Sequence, residues 1–483
     1  MYKTIKYVII RENGSEKMDN ESVLLEEKRK QDEKRIRMTT QPHEKLIFKL
    51  AIPSIISMLI TSFYNLVDTF FVGQLENTSA TGAVGVCFSI MAIIQAFGFF
   101  FGHGSGNYIS RELGKKNIKG AEEMASVGFF SAIIVGVTIM VFGLIFLNPL
   151  AKFLGSTDTI LPYATDYLKY ILIGAPFTCG LFVINNQLRF QSNALFSMIG
   201  VVSGAVINVI LDPILIFGCN MGVAGAALAT AISQAISFTI LLIVMQKSDS
   251  LKLNIKNFKP SLQKYKDILN GGTPSLCRQG LASVATICLN FSAGNFSDAA
   301  VAAIGIVSRI MMFASSALIG FGQGFQPFCG FNYGAKLYKR VKDAFMFCVK
   351  YSTIFLFGMA ALVFIIAPQF IALFQGDDPE VIRVGTMALR AQAVTFPFMA
   401  WVVMSNMMTQ TIGKVYKASI LAMSRQGLMF APAVLIFPLI FDLWGLVLAQ
   451  PIADAATFLI SLPIMKSELR ELDTLQKQQE NGL

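Results

Sequence analysis

Long apolar runs are the feature of this sequence that most restricts its fold. The first extends from Lys49 to Gln74, KLAIPSIISMLITSFYNLVDTFFVGQ, and is long enough to cross a bilayer, since a spanning helix needs roughly 20 apolar residues. Of the 483 residues, 54% are hydrophobic and 14% are charged, whereas soluble proteins carry about 25% charged residues. The sequence therefore predicts an all-α polytopic membrane protein.

Apolar runs continue along the chain and predict twelve transmembrane helices, with approximate bounds 47–72, 80–106, 124–147, 161–184, 196–217, 222–245, 268–293, 300–328, 344–367, 381–404, 418–440 and 444–465. Basic residues concentrate in alternate loops, mainly at 111–119, 247–266, 336–342 and 414–417. The opposite loops carry only Lys152. Because positive loops stay inside, we expect a multi-pass protein of the cytoplasmic membrane with both termini in the cytoplasm. The net charge of +10 is thereby explained without a nucleic-acid partner.

The chain repeats itself. Pro53 and Gly73 recur as Pro274 and Gly294 at an offset of 221, and Gly102 and Gly114 recur as Gly322 and Gly334 at 220. We therefore predict two six-helix lobes related by a pseudo-two-fold axis along the membrane normal. The predicted divisions are a cytoplasmic tail at 1–45, an N-lobe at 46–245, a cytoplasmic linker at 246–267, a C-lobe at 268–465 and a cytoplasmic C-terminal tail at 466–483. The charged N-terminal tail is expected to be mobile or partly helical, and translation could start at Met1 or at Met38.

Asp68 lies inside the first apolar run, where a carboxyl group costs at least about 2.5 kcal/mol and usually has a function. Tyr64 and Asn65 precede it by four and three residues and share its helix face. Tyr167, Asn208, Asp212 and Thr230, on three further helices of the same lobe, are predicted at similar depth from a rise of 1.5 Å per residue.

Two carboxyl groups in one desolvated pocket cannot both ionise easily, so such a pair can exchange protons near neutral pH. Oxygen groups of this kind can also hold a hard cation. We therefore predict an H⁺ or Na⁺ coupling site at Asp68 and Asp212, to which Tyr167, Asn208 and Thr230 could add oxygen groups. Structural hydrogen bonds between helices are the open alternative for the polar residues. Pro53 removes a backbone donor near the start of the first helix and is the predicted hinge.

The second lobe lacks an equivalent acidic pair. Its spans carry Arg278, Arg309, Arg390 and Arg425, with Asp454 as their single acid. These arginines could face water, pair with Asp454 or backbone carbonyls, or contact lipid phosphates. Asn65, Arg278, Gln279 and Asp454 are predicted polar residues of the cavity. Seven scattered cysteines without CxxC spacing and two histidines indicate neither a metal site nor disulfides, and no cofactor is expected beyond the coupling ion.

Several segments resemble the multidrug and toxic compound extrusion (MATE) family over residues 45 to 465. Their sequences are most similar to the bacterial MepA-like branch near the DinF group. They are KLAIPSIISMLITSFYNLVDTFFVG, FGHGSGNYISRELG, LRFQSN, LDPILIF and GFGQGFQPFCGFNYGAK. The resemblance implies twelve helices in two lobes around a central cavity, and export of lipophilic, often cationic drugs against a proton or sodium gradient. It also implies that Asp68, Tyr167, Asn208, Asp212 and Thr230 bind the coupling ion in the N-lobe and that Pro53 permits bending. Arg278 and Gln279 stand where other branches carry an acid in the seventh helix.

These observations predict a secondary antiporter that works by alternating access as a monomer in the lipid bilayer, and not an enzyme. Its substrates are expected to be lipophilic or cationic small molecules. Two alternatives remain open from the sequence. One is a flippase for lipid-linked precursors, in which the intramembrane arginines would serve phosphate groups. The other is a membrane receptor or scaffold that transports nothing, against which the duplicated lobes and buried acids argue.

Overall fold

The computed structural model describes residues 29–30, 32–75, 78–247, 250–374 and 378–481, and no β-strand occurs among them. The α-helices are, in order, α1 (His43–Gly73), α2 (Thr78–Gly114), α3 (Ile118–Ile145), α4 (Leu147–Phe153), α5 (Leu161–Phe190), α6 (Ala194–Pro213), α7 (Gly222–Lys247), α8 (Leu262–Gly294), α9 (Asp298–Gly334), α10 (Tyr338–Phe374), α11 (Pro379–Thr395), α12 (Phe398–Ile412), α13 (Val415–Met423) and α14 (Ala431–Glu480). Two π-helical turns, Ile214–Gly218 and Ser424–Phe430, continue α6 and α13. The all-α prediction is confirmed for this part of the chain.

Nine helical segments of the described residues are long and apolar enough to cross a membrane, and the bent pair α11–α12 makes a tenth. One of the nine, Val415–Glu480, contains 66 residues, far more than one crossing requires. It is broken at Asp442, whose backbone leaves the helical region at φ 48° and ψ −135°. A Cβ added at Gly445 would collide with the carbonyl oxygen of Phe437, so the chain folds back here. The segment therefore supplies two crossings, as the sequence predicted.

Helix α8 is the exception among the twelve predicted spans. It has 33 residues and is long enough to cross, but it is not among the segments whose hydropathy marks them as spanning. Arg278, Gln279 and Asn290 lie within it, and polar groups of this kind lower the hydropathy of a membrane helix. Such residues normally face the interior of a bundle or a water-filled cavity. Counting α8 and both crossings of the 66-residue segment gives the twelve predicted spans.

The helices form two lobes, α1–α7 and α8–α14, whose contacts join α1 to α9, α2 to α8 and α2 to α9. The backbones approach closely at glycines. A Cβ at Gly114 would collide with the carbonyl oxygen of Phe331, and one at Gly334 would collide with that of Arg111. These two contacts are related by the sequence repeat, so α2 and α9 cross on the pseudo-two-fold axis.

We call these contacts between lobes the seam, and its polar members are few. The Arg111 Nη1 donates to the Thr411 carbonyl oxygen at 2.6 Å, and the hydroxyls of Ser62 and Ser316 are 2.6 Å apart. Because the chain crosses an even number of times in each lobe, its N-terminus, linker and C-terminus lie at one end of the bundle. We call this end the terminal face and the other the distal face. The seam extends from the terminal face to about the middle of α1 and α9, where Ser62 and Ser316 meet.

The close backbone contacts of the seam are not repeated at the distal face. Gly73, Gly85, Gly294 and Gly305 lie near the distal ends of α1, α2, α8 and α9, and a Cβ at any of them would meet nothing within 4 Å. We infer a cleft between the lobes that is closed at the terminal face and open at the distal face. This is one of the two states that a two-lobe transporter alternates between.

The N-terminal arm, residues 32–42, packs across the seam at the terminal face. Its residues 32–40 are helical, as part of the tail was expected to be. Arg35 Nε donates to the Gly114 carbonyl of the N-lobe at 2.9 Å. From the C-lobe, Asn332 Nδ2 donates to the Met38 carbonyl at 3.1 Å, and Arg340 Nη2 donates to the Gln41 carbonyl at 2.7 Å. The rest of the predicted tail, residues 1–28 and 31, lies outside the described residues.

Two neighbouring positions of the arm give a matched test of its packing. Met38 has none of its surface exposed, whereas Ile36 is 54% exposed. A buried carboxylate without a partner is strongly unfavourable, so Met38→Asp is expected to lower the apparent melting temperature of the purified protein by several degrees. Ile36→Asp adds the same charge in solvent and should leave the melting temperature unchanged. Equal melting temperatures for both variants would show that the arm adds no stability.

Candidate functional site

Four helices of the N-lobe place polar side chains in one cluster. Asp68 comes from α1, Tyr167 from α5, Asn208 and Asp212 from α6, and Thr230 from α7. Tyr167 is 1% exposed, Asn208 3%, Asp212 0% and Thr230 6%. Buried polar groups at this depth need partners within the protein. The cluster therefore depends on how these five side chains satisfy one another.

Asn208 is the hydrogen-bonding centre of the cluster. Its Nδ2 donates to Asp212 Oδ1 at 3.2 Å and lies 3.5 Å from Thr230 Oγ1. The four-residue spacing of Asn208 and Asp212 puts them on one face of α6, and this face is turned towards α7. The spacing of Asn208 and Asp212 in the sequence already predicted their interaction. The contact of Asn208 with Thr230 depends on how α6 packs on α7, which the spacing does not show.

The two carboxyl groups of the cluster are neighbours. Asp68 and Asp212 are close enough to interact electrostatically. Asp68 Oδ1, Asp212 Oδ2 and Asn208 Oδ1 are all buried and receive no hydrogen bond from the described residues. Ionised carboxylate oxygens and amide oxygens can only accept hydrogen bonds. Three such oxygens without donors are suited to take up a proton or to bind a small cation.

Tyr64 and Tyr167 complete the cluster. Both hydroxyls lie within electrostatic range of Asp68 and of Asp212, and Tyr167 Oη donates to Met91 Sδ at 3.5 Å. Tyr64 was not among the predicted coupling residues. Its signal was present in the sequence, since it precedes Asp68 by four residues and shares its helix face.

A cavity of about 90 Å³ adjoins the cluster inside the N-lobe. It is lined by α1, α5, α6 and α7, including Tyr64, Asn185, Asn208, Thr230 and Gln234. At this size it holds a few water molecules, whereas a drug-sized ligand needs a pocket of about 300–1,000 Å³. In this state the N-lobe cavity is therefore smaller than a pocket that encloses a drug.

Pro53 lies in the terminal half of α1 and does not break it, because the helix is continuous from His43 to Gly73. Its missing N–H removes one backbone hydrogen bond, and Ser57 Oγ donates to the Pro53 carbonyl oxygen at 2.9 Å. Pro53 falls between Ala51 and Ile55, whose backbones pack against Gly324 and Gly320 of the C-lobe. The side chain of Asn65 lies outside the described residues.

In the C-lobe, Asp454 is neutralised. It is 3% exposed, and its Oδ1 accepts from Arg425 Nε at 2.9 Å and from Gln450 Nε2 at 2.8 Å. Of the alternatives for the arginines, Arg425 thus pairs with Asp454, and Arg390 Nε donates to the Phe364 carbonyl at 3.0 Å. Arg425 lies in a π-helical turn, and Asp212 lies two residues before the start of the other one. Such turns are frequent at functional sites.

The other predicted cavity residues lie on α8. Arg278 Nη1 is 3.4 Å from Asn406 Oδ1, and the Gln279 carbonyl accepts from Ser283 Oγ at 3.4 Å. Neither residue reaches the N-lobe cluster. The structure therefore unites the five predicted coupling residues and keeps the C-lobe residues apart from them.

A duplicated helical bundle with a cleft between its lobes and buried carboxyl groups at one side is the architecture of a secondary transporter. The MatE family model matches residues 53–214 and again residues 274–435, so the two matches repeat at the spacing found in the sequence. The chain belongs to the MatE family, and it is a multi-pass membrane transporter.

Known relatives cover almost the whole chain. It is 30% identical over 434 residues to the multidrug export protein MepA of Staphylococcus haemolyticus. The matched region covers 90% of this chain and 95% of the relative. A solved outward-facing structure of a multidrug resistance MATE family transporter superposes with a TM-score of 0.86 at 26% identity, over 91% of this chain and 98% of that one. A MATE structure in the straight conformation gives 0.85 at 26% identity, over 91% and 99%. The predicted family, fold class and two-lobe architecture are confirmed.

The buried pair in the C-lobe yields a stability prediction. Arg425→Gln removes the cation and leaves the Asp454 carboxyl buried without its counter-charge, which typically costs about 3–5 kcal/mol. We expect a clear fall in the apparent melting temperature of the purified protein. The double variant Arg425→Gln, Asp454→Asn removes both charges and should recover most of the loss. A double variant as unstable as Arg425→Gln alone would contradict the pairing.

Proposed function

We propose that this protein exports lipophilic small molecules in exchange for H⁺ or Na⁺, and that Asp68 and Asp212 bind the coupling ion together with Asn208, Thr230 and Tyr167. The observation that carries the proposal is the asymmetry between lobes. The N-lobe holds two neighbouring carboxyl groups with oxygens that lack donors, while the acid of the C-lobe is paired with Arg425. Multidrug export by the MepA relative supports the substrate class.

The cluster can act as a switch through its charge. With both carboxyls ionised, Asp68 and Asp212 repel each other in a low-dielectric site. A proton or a Na⁺ ion removes this repulsion and brings α1 and α6 together, so the ion favours one arrangement of the N-lobe. Drug and ion need not touch, because each only has to bind the two conformations with different affinity. The protein performs no covalent chemistry in this scheme and is not an enzyme.

The arrangement in the membrane follows from charge. Basic loops lie at the terminal face, and positive loops are retained in the cytoplasm. We therefore propose that the terminal face and both termini are cytoplasmic, that the protein is a monomer of the cytoplasmic membrane, and that the cleft of this structure opens outwards. The predicted divisions at 1–45, 46–245, 246–267, 268–465 and 466–483 are retained as part of this proposal.

Transport in proteoliposomes tests the coupling residues. Asp68→Asn and Asp212→Asn keep size and hydrogen bonding but cannot titrate, so each is expected to abolish efflux of a fluorescent lipophilic cation driven by an imposed H⁺ or Na⁺ gradient. Asp454→Asn is the matched control in the other lobe, and efflux should fall only mildly.

Each imposed gradient is applied alone, so the same assay identifies the ion. Thermal melting of each variant shows that it is folded. If both N-lobe variants pump like the wild type while Asp454→Asn stops efflux, the coupling site lies in the C-lobe and the proposal is wrong. A labelled lipid-linked precursor offered in parallel separates drug export from flippase activity, since a flippase would move the lipid without a drug gradient.

A further inference from the structure

Two arginines lie inside the protein near the seam without a carboxylate partner. Arg189, on α5, is 3% exposed. Its Nη2 donates to Asn186 Oδ1 at 2.6 Å and lies 3.2 Å from His103 Nε2, while its Nε has no partner among the described residues. A guanidinium buried in this way without an anion is costly and calls for an explanation.

Arg278, on α8 of the other lobe, is its neighbour. The two guanidinium groups are close enough to interact electrostatically, and His103 lies within range of both. Arg278 makes only a long hydrogen bond, 3.4 Å, to an amide oxygen of Asn406. No carboxylate in the described part of the chain contributes to the electrostatics of either arginine. Arg189 and Arg278, from opposite lobes, thus lie in one neighbourhood around His103.

His103 does not supply the missing negative charge. Its Nδ1 lies 3.2 Å from the Phe99 carbonyl oxygen, which can only accept, so Nδ1 carries the hydrogen. Its Nε2 faces Arg189 Nη2, which can only donate, so Nε2 is the acceptor. The ring is therefore neutral, and it holds Arg189 in place without compensating its charge.

The remaining intramembrane arginines of the C-lobe that have described partners differ from this pair. Arg425 has Asp454, and Arg390 combines the Phe364 carbonyl with a position over the Phe364 ring, 5.3 Å from its centroid. Arg425 is thus compensated by a carboxylate, and Arg390 by a carbonyl oxygen and a ring. Arg189 has a comparable ring contact, 5.4 Å from the Phe190 centroid, whereas among the described contacts Arg278 has the long bond to Asn406 alone.

Arg278 lies about two helical turns along α8 from the close contact of α8 with α2. The seam closes at Gly271, whose added Cβ would lie 3.0 Å from the backbone of Gly104. Arg278 follows Gly271 by seven residues, which is roughly 10 Å along α8 towards the distal face. Asn406, beside it, is 6% exposed. Arg278 is itself partly exposed, so we infer that a molecule entering the cleft from the distal face can reach it.

We propose that Arg278, with Arg189 behind it, binds an anionic group, a carboxylate or a phosphate, on an amphipathic substrate in the cleft. The inference rests on the proposed export function, because it names a chemical class of substrate for the same cleft. Guanidinium groups match both anions with paired hydrogen bonds. The site should favour molecules that carry an acidic group beside an apolar body over molecules that carry only positive charge.

A matched pair of probes tests this proposal by equilibrium binding without any gradient. A fluorescent xanthene dye in its free carboxylic acid form and the ethyl ester of the same dye differ only in the anionic group. Fluorescence polarisation with the purified full-length protein should show tighter binding of the acid than of the ester. In Arg278→Gln the affinity for the acid should fall about tenfold or more, since a hydrogen bond to a charged group is worth that much, and the affinity for the ester should not fall.

Two further variants test whether the positive charge of Arg278 causes the preference for the acid. Arg278→Lys keeps the charge and should retain much of the preference for the acid. Arg390→Gln removes an arginine of the same lobe that already has partners and should change neither affinity. The proposal would be overturned if the wild type bound the ester more tightly than the acid, or if Arg278→Gln lost affinity equally for both probes. The first result is measured on the wild type and does not depend on the folding of a variant.

The lipid composition of the membrane distinguishes the two sources of the anion, a lipid headgroup and a soluble substrate. The binding is repeated in nanodiscs of phosphatidylcholine alone and of phosphatidylcholine with phosphatidylglycerol. Competition by phosphatidylglycerol against the acid in wild type, lost in Arg278→Gln, would identify a lipid headgroup as an occupant. Selective binding of the acid without such competition would identify a soluble substrate. Because no ion gradient is present, these results stand even if the coupling residues were to prove misassigned.

Discussion

Backbone contact between α2 and α9 is the constraint on which the rest of the structure depends. Gly114 and Gly334, equivalent positions of the two repeats, each touch a carbonyl oxygen of the opposite lobe, and any larger residue would force the lobes apart. This contact closes the terminal face and leaves the distal face open. Polar contacts also join the lobes, among them Arg111 to Thr411, Ser62 to Ser316 and the salt bridge of Lys264 with Glu123.

Helix α1 connects the seam to the polar cluster of the N-lobe. Its terminal half packs Ala51 and Ile55 against α9, and its distal half carries Asp68. In the proposed scheme, a change in charge at Asp68 and Asp212 would act on a helix that also forms the seam, and Pro53 would let that helix bend with little loss of hydrogen bonding. The proposed link between ion and cleft is then one helix rather than direct contact of ion and drug. The N-terminal arm adds further contacts across the same seam.

The sequence predicted the parts that depend on periodicity and depth. The repeat at 220–221 residues, the two lobes and the shared depth of Asp68, Asp212 and Thr230 all follow from numbering alone. Which faces meet depends on packing, so the contact of Asn208 with Thr230 could not be derived, whereas the spacing of Tyr64 and Asp68 already put them on one helix face. The pairing of Arg425 with Asp454 was one of several alternatives. The docking of Met38 was not predicted, because a charged tail gives no periodic signal, and the neighbourhood of Arg189 and Arg278 joins residues 89 positions apart.

Ion release on drug binding tests the central claim most directly. A lipophilic cation is added to the purified protein in weakly buffered solution, and H⁺ and Na⁺ are followed with separate indicators. Because coupling between two ligands is reciprocal, drug binding to the wild type should displace about one H⁺ or Na⁺ per protein, and the Asp68→Asn, Asp212→Asn double variant should release none while still binding the drug. Release of the same ion in equal amount by the double variant would contradict the account.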